Sequence, residues 1–189
     1  MPRIFFGILA TGAIILGALV LYVIRSSPVH ETPPPSLAAL QADPAPKILP
    51  SVAFTGVDGR AQSLEAFRGR VVILNVWATW CAPCVRELPA LGHLAQALGQ
   101  DNLVVVAVNA GRDSTTETAA FLKSHSAGNL IAYRNPDLSL LQVFGAQGLP
   151  FSVLIDTKGR EIARASGPLT WDDPAAVAYF RSLAAHAAS

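Results

Sequence analysis

The chain has 189 residues, a length that allows one ordinary domain and an appendage. Charged residues make up only 14% of it, the net charge is +1, and no basic stripe or acidic tail is present, which argues against a nucleic-acid-binding protein. The two cysteines, Cys81 and Cys84, are so close in sequence that a disulfide between them would add little stability as a staple. The pair is therefore better suited to a redox switch.

An apolar run at residues 4–24 predicts a transmembrane helix. No charged residue interrupts this run, and at about 1.5 Å per residue it is long enough to cross a hydrocarbon core of ~30 Å. A cleaved signal peptide is the alternative, but its apolar core is usually about 7–15 residues and ends at a small-x-small site. Since this run ends in YVIR, we expect residues 1–25 to be an uncleaved anchor.

The next segment, residues 26–48, is rich in proline. Proline at this density favours an extended, polyproline-like chain and disfavours packed structure. We therefore expect a semi-rigid linker between the anchor and a domain at residues 49–189.

Strand patterns recur through this domain. Short strands are predicted at residues 52–54, as an edge strand, and at 61–63, before a helical turn at 64–67 that Gly69 closes. Nearly continuous apolar runs, typical of strands buried on both faces, occupy residues 71–78, 103–109 and 151–156. Residues 161–165 are expected to pair back on the last of these as a hairpin.

Helices are predicted between these strands, so the sequence indicates an α/β fold with a mixed central sheet and helices on both faces. The predicted helices are residues 81–98, with Leu88, Leu91, Ala95 and Leu98 on one stripe and Pro89 inside; 115–125, with Ala119, Phe121 and Leu122 as packing residues; 138–144; and 172–185, with Asp172 or Asp173 as the cap.

The motif WCAPC, residues 80–84, lies where the first buried strand is followed by a helix. Unpaired N–H groups and the helix dipole favour negative charge at a helix N-terminus, so a thiolate at Cys81 is stabilised there. Cys84 lies one turn further in. Cys81 is thus predicted to attack a disulfide, and Cys84 to resolve the mixed disulfide that forms.

Metal binding is the main alternative reading of this cysteine pair. A closed zinc site needs four ligands, and no histidine of the chain has ligand spacing to the cysteines. Two thiolates also bind Cu(I), although no third soft ligand is visible. We therefore expect neither a resident metal nor a cofactor, and a copper chaperone stays open as an alternative.

Five stretches together resemble the TlpA-like, membrane-anchored bacterial thioredoxins, which are related to ResA and to the cytochrome c maturation reductases. The likeness is strongest to the TlpA branch, and it spans essentially the whole domain. The matching stretches are residues 64–70, 71–91 (VVILNVWATWCAPCVRELPAL), 104–109, 148–163 (GLPFSVLIDTKGREIA) and 166–171 (SGPLTW).

The resemblance implies a thioredoxin fold and a single-pass protein of the bacterial inner membrane, with its domain in the periplasm. It also implies a dithiol reductase that a membrane electron donor recharges. Implied clients are proteins with disulfides or cysteine pairs, among them apocytochrome c or copper-centre assembly factors. One departure is that TlpA carries an additional cysteine pair, which this chain lacks.

Further site residues carry over by motif. Pro150 matches the family's cis-proline, and Glu87 matches an acidic residue one turn after the second cysteine, with a solvated surface carboxylate as its alternative. Asn75 lies where ordinary thioredoxins carry a buried aspartate. We expect Trp77 and Trp80 to pack against the sheet and frame the site. The residues predicted to contact a client are Trp80, Ala82, Pro83 and Leu149.

Four functions are consistent with some of these features. The sequence favours a thiol–disulfide oxidoreductase that reduces protein disulfides outside the cytoplasm. A thiol oxidase or isomerase would use the same motif in the opposite direction, and a Cu(I)-binding assembly chaperone would use the thiolates as ligands. A peroxidase is disfavoured, because the expected lone cysteine in a Pro- and Thr-rich loop is missing.

Overall fold

The computed structural model describes residues 32–99 and 101–187. Its strands are β1 (Gln41–Ile48), β2 (Ala53–Thr55), β3 (Ala61–Ser63), β4 (Val71–Trp77), β5 (Leu103–Asn109), β6 (Tyr133–Arg134), β7 (Phe151–Ile155) and β8 (Arg160–Ser166). Its helices are α1 (Ala82–Ala97), α2 (Thr115–Ser124), α3 (Ser139–Phe144) and α4 (Pro174–Ala187), and 3-10 turns lie at Pro35–Leu37 and Leu64–Phe67.

These strands form one mixed sheet in the order β1-β8-β7-β4-β5-β6-β2-β3. Strand β4 pairs in parallel with β5 and antiparallel with β7, and every one of its residues is buried. Its continuous apolar sequence follows from this central position, since helices or loops cover both faces. The three buried strands and the β7–β8 hairpin predicted from the sequence are confirmed.

Side-chain alternation along β4 divides the core into two layers. Ile73 and Trp77 lie in the layer that contains the apolar faces of α1, α2 and α4. Leu74 and Val76 lie in the other layer, with α3 and the 3-10 turn Leu64–Phe67 against it. The predicted α/β class, with a mixed sheet and helices on both faces, is therefore confirmed.

The described part of the proline-rich segment, residues 32–48, differs from the semi-rigid linker predicted at residues 26–48. Leu37 and Leu40 are buried in the helix-covered core, and β1 pairs antiparallel with β8 along one edge of the sheet. Proline is tolerated on an edge strand, where its missing N–H costs no ladder bond, and the register breaks between Ala42 and Lys47, where Pro44 and Pro46 lie. The domain thus begins before residue 49.

Smaller corrections concern the other sheet edge and one helix. Strand β2 is not an edge strand, since it pairs with both β3 and the two-residue strand β6, which the sequence did not predict. Ala119 is exposed, and Thr118 and Leu122 form the buried face of α2. A hydroxyl at position 118 hides the helical period from a purely apolar count.

The predicted anchor, residues 1–25, lies outside the described residues. Within residues 32–99 and 101–187, no helix is both long enough and apolar enough to cross a membrane.

Candidate functional site

The redox pair lies in the connection from strand β4 to helix α1. Cys81 is the N-cap residue of α1, with an extended backbone at φ −87° and ψ 96°. Its Sγ accepts a hydrogen bond from the backbone N–H of Cys84, at 3.4 Å. The remaining N–H groups of the first turn and the helix dipole favour negative charge at this sulfur. A thiolate at Cys81 is therefore stabilised when the pair is reduced.

Cys81 and Cys84 form a disulfide with an Sγ–Sγ distance of 2.06 Å. Cys81 is 6% exposed, whereas Cys84 is completely buried. A client sulfur therefore has access to Cys81 but not to Cys84. This difference supports the predicted order, in which Cys81 attacks and Cys84 resolves.

Trp80 departs from the prediction that both tryptophans pack against the sheet. Trp77 is fully buried in β4, but Trp80 is 70% exposed, because it follows the end of the strand in a turn that leaves the sheet. Ala82 is also exposed and Pro83 partly exposed. Together these side chains surround Cys81 with accessible apolar surface.

Pro150 immediately precedes β7, and the peptide bond from Leu149 to Pro150 is cis, as predicted. The next residue, Phe151, pairs with Val76 near the end of β4 that leads to Cys81. The Leu149–Pro150 segment therefore lies at the same end of the central strands as the redox pair. Leu149 is partly exposed, and among the described residues no hydrogen bond engages its backbone.

Glu87 lies in α1, one turn after Cys84, and is only 5% exposed. Its Oε1 accepts a hydrogen bond from Asn75 Nδ2 at 2.9 Å. Its Oε2 accepts one from the backbone N–H of Leu169 at 3.1 Å and one from Trp171 Nε1 at 3.2 Å. The surface-carboxylate alternative is therefore wrong for this residue.

Burial raises the pKa of the Glu87 carboxyl above its ordinary value, because desolvation disfavours the charged form. The three hydrogen-bond donors lower the pKa, and burial outweighs them. The carboxyl is consequently poised to exchange a proton at higher pH than an exposed glutamate does.

A groove of about 240 Å³ lies beside Glu87. Glu87 is one of its lining residues, and proton exchange with water is possible there. The other lining residues are Pro83, Arg86, Ala90, Pro168, Leu169 and Thr170.

Asn75 is fully buried in β4 and holds Glu87 from the sheet side. Its Nδ2 also donates to Ser152 Oγ of β7 at 3.1 Å, because these two residues are direct cross-strand partners. Its Oδ1 accepts no hydrogen bond from any described residue. The buried acceptor next to Glu87 is therefore available for another donor.

Leu169, Trp171 and Ser152 were not assigned a role from the sequence. Leu169 and Trp171 belong to the quoted stretch SGPLTW, but nothing in that stretch shows which side chain it meets. Ser152 carried one signal, a hydroxyl inside an otherwise apolar strand. Their roles follow from tertiary contacts across 77 to 84 positions.

Among residues 32–99 and 101–187, no group of three or more His, Cys, Asp or Glu side chains is arranged to hold a metal ion. His93 is exposed and its Nδ1 lies 3.0 Å from Asp172 Oδ2, far along α1 from the redox pair.

Comparison with known proteins places this site among thiol–disulfide oxidoreductases. The Redoxin family matches residues 42–179. The thiol–disulfide oxidoreductase ResA of Geobacillus thermodenitrificans is 30% identical over 124 residues, which cover 66% of this chain and 70% of the relative.

Two solved structures share the fold. The exposed lipoprotein thioredoxin Etrx1 of Streptococcus pneumoniae is 26% identical, with a TM-score of 0.58 over 70% of this chain and 98% of that one. A Chlorobium tepidum protein assigned as a thiol:disulfide interchange protein DsbE is 27% identical, with a TM-score of 0.60 over 76% and 97%. The sheet and helices that carry the redox pair are thus a thioredoxin fold.

Proposed function

Because the chain belongs to the Redoxin family, as a thiol–disulfide oxidoreductase of the TlpA/ResA type, we propose that it acts as a dithiol reductase of protein disulfides outside the cytoplasm. One observation carries this proposal. An accessible Cys81 at a helix N-terminus is paired with a buried Cys84, and a buried carboxyl, Glu87, lies one turn further along. This arrangement suits attack by one sulfur and deprotonation of the other.

The reaction begins with the reduced pair. The Cys81 thiolate attacks one sulfur of the client disulfide, forms a mixed disulfide and expels the other client sulfur as a thiolate, which takes up a proton. Cys84 then loses its proton and attacks Cys81 Sγ, which releases the second client thiol. In total the client gains two electrons and two protons, and the protein is left with the disulfide seen here.

Glu87 is proposed to accept the proton of Cys84. Cys84 is buried, so its thiol releases a proton reluctantly and needs a nearby base. Asn75 is an amide and cannot take this role. Glu87 lies on the same helical face three residues on, and the groove that it lines lets the proton pass to water.

Client binding is proposed to use Leu149 and the apolar surface around Cys81. The unengaged backbone of Leu149 can pair with an extended client segment as an added strand. Pro150 has no backbone N–H, so its backbone offers no donor that could compete for the Cys81 thiolate. Trp80, Ala82 and Pro83 contact the client on the other side of the sulfur.

We further propose that residues 1–25 anchor the chain in the bacterial inner membrane with the domain in the periplasm, where a membrane dithiol donor recharges it. The uninterrupted apolar run at residues 4–24 supports the anchor. The resemblance to the cytochrome c maturation reductases supports a role in cytochrome c maturation, and the TlpA likeness supports a role in copper-centre assembly.

The decisive experiment traps clients in cells. The Cys84→Ser variant should accumulate mixed disulfides, seen as bands on non-reducing gels that disappear when the sample is reduced. The Cys81→Ser variant should not accumulate them. The reduction potential of the wild-type pair should lie well below the glutathione poise. A potential near that of a strong oxidant would instead favour the oxidase or isomerase, and isolation with one Cu(I) per chain would favour the copper chaperone.

A further inference from the structure

A second groove, of about 730 Å³, is lined by Trp80, the residue that precedes Cys81. The loops that follow β4, β5 and β6 contribute to it. These three strands are parallel, so their carboxyl ends lie on the same side of the sheet. We call it the Trp80 groove. Its lining residues are Thr79, Trp80, Ala110, Gly111, Arg112, Asp113, Glu117, Pro136, Asp137 and Leu138.

Two large apolar side chains of this groove are open to solvent. Trp80 is 70% exposed and Leu138 is 40% exposed. Leu138 also has φ 59°, in the left-handed region that a leucine rarely occupies. An exposed tryptophan next to a reactive cysteine offers a rigid, apolar contact of the kind that dominates binding interfaces.

The groove also carries an excess of negative charge. Its wall contains three carboxylates, those of Asp113, Glu117 and Asp137, and one guanidinium, that of Arg112. Arg134 does not line the groove but offsets part of the charge of Asp113 and Glu117. With Arg134 counted, one negative charge remains in excess.

Local hydrogen bonds keep these carboxylates ionised. They lower the pKa of all three groups, with Asn109, Ser114 and Ser139 as the main donors to Asp113, Glu117 and Asp137 respectively. For example, Asp113 Oδ2 accepts bonds from Asn109 Nδ2 and Thr79 Oγ1, both at 3.0 Å. The charge is therefore present throughout the neutral pH range.

We propose that the Trp80 groove binds the segment of a client polypeptide that flanks its target disulfide, with an apolar side chain against Trp80 and Leu138 and a lysine or arginine facing the carboxylates. This inference rests on the proposed reductase function and gives its substrates a chemical class. Trp80 is the neighbour of Cys81, and an extended chain advances about 3.3 Å per residue, so residues within a few positions of the attacked sulfur reach the groove.

The test compares three synthetic disulfide peptides that differ only in Lys, Gln or Glu two positions from the attacked cysteine. The full chain, reduced and held in a nonionic detergent, is mixed with each, and second-order rate constants are divided by those for dithiothreitol, which removes the intrinsic reactivity of each peptide. We expect the order Lys, Gln, Glu, with about a fivefold to twentyfold difference between Lys and Glu at low salt that shrinks at high salt.

A triple variant, Asp113→Asn, Glu117→Gln and Asp137→Asn, removes the three charges and keeps an acceptor at each position. It should bring the Lys-to-Glu ratio to one or below, because Arg112 and Arg134 keep their positive charges. Asp58→Asn is the matched control, because Asp58 also accepts a backbone N–H bond in a turn but does not line the groove. This control should leave the ratio unchanged.

The apolar part is tested with Trp80→Ala and Leu138→Asn. Both should slow all three peptides about equally, and Leu138→Asn should melt at or above the wild-type temperature, since asparagine tolerates the left-handed backbone. Equal charge ratios for wild type and triple variant would overturn the groove proposal.

Binding without chemistry separates this proposal from the reductase function. A chain with both Cys81→Ser and Cys84→Ser should bind the fluorescently labelled, S-methylated Lys peptide more tightly than the Glu peptide, as measured by anisotropy. Preferential binding together with no reduction by wild type would overturn the reductase and support the groove. Reduction of all peptides with no binding preference would do the reverse.

Discussion

Cys81 and Cys84 are three positions apart, yet Cys81 is slightly exposed and Cys84 is completely buried. The helix N-terminus favours a thiolate at Cys81, the N-cap residue, whereas burial disfavours one at Cys84. We therefore expect iodoacetamide to label Cys81 of the reduced protein about tenfold faster than Cys84, or more, at pH 7. Mass mapping of the alkylated sites measures this, with Cys81→Ser as the control. Faster labelling of Cys84 would reverse the two roles.

The Glu87→Gln substitution tests proton transfer from the Cys84 thiol. The substitution removes the base and a negative charge, so both cysteine pKa values should fall while release of the mixed disulfide slows. The glutamine amide can be accommodated, because Asn75 Oδ1 has no donor among the described residues of the wild-type protein. If the Asn75 side-chain amide flips, its Oδ1 can accept a hydrogen bond from the new amide N–H. Stopped-flow reduction of a model disulfide from about pH 5 to 9 measures both effects. Adding Asn75→Asp should restore part of the rate, and superimposable profiles for all three proteins would show Glu87 to be uninvolved.

The free energy of unfolding of the oxidised protein should depend on the protonation of Glu87. Burial raises the folded-state pKa of Glu87, so the folded protein holds this proton more tightly than the unfolded chain does. From the unfolded value of about 4.3 up to the raised folded value, folding takes up a proton, and stability falls as pH rises. Relative to Glu87→Gln, the free energy of unfolding of wild type should decline through this window and then level off. Urea titrations across pH measure the difference, which should not be constant.

Two separate elements hold the Glu87 carboxyl in place. The loop between β8 and α4 contacts one of its oxygens, and strand β4 contacts the other. Leu169 and Trp171 supply two of its three donors. Helix α1 brings Glu87 to them, and the antiparallel pairing of β4 with β7 places Ser152 beside Asn75. A buried charge needs such donors from several elements, since one helix cannot supply them.

Trp171→Phe isolates the contribution of that loop. The variant keeps an aromatic ring against Phe180, whose centroid lies 5.9 Å from that of Trp171, but it removes the Nε1 donor. With one donor fewer, the charged form of Glu87 is less favoured and its pKa should rise further. The pH–rate profile of disulfide reduction should shift to higher pH, and Phe180→Leu, which perturbs packing alone, should not shift it. A lower rate with an unmoved profile would leave Trp171 a packing residue.

For the whole molecule, the boundary of the domain is the feature that matters most for experiments. The compact unit begins at Pro33, and Leu37 and Leu40 lie in the core beneath α4 and β8. Burial of each leucine contributes roughly 1.5–3 kcal/mol. A chain that starts at Ala45 lacks both leucines and half of β1, so it should be about 3 kcal/mol less stable, or worse, than a chain that starts at Pro33.

Urea midpoints of the two truncated chains measure this difference. Leu37→Ala in the longer chain is the matched control and should cost about 2–4 kcal/mol. Both truncated chains should be soluble if the domain folds without residues 1–32. Equal midpoints would show that β1 and the leucines before it add nothing to the fold.

The sequence by itself determined the fold class, the central strands and the redox pair, and the family resemblance predicted the cis bond before Pro150. Apart from Asn75 and Asn109, residues 71–78 and 103–109 are apolar, a pattern with few alternatives to a buried strand. The WCAPC motif lies at a strand-to-helix junction that local signals locate. Glu87 was found by motif, at a spacing that fixes its helical face.

Only the tertiary structure decided what surrounds these residues. The burial of Glu87 depends on Leu169 and Trp171, more than 80 positions away, and helical spacing says nothing about such partners. The prolines at 44 and 46 favour an extended, semi-rigid linker locally, but β1 pairs with β8 at the edge of the sheet nonetheless. Trp80 was expected to pack against the sheet and frame the site, but it is exposed, because the turn after β4 directs it away from the sheet. Burial and pairing are properties of distant contacts, which a local pattern does not contain.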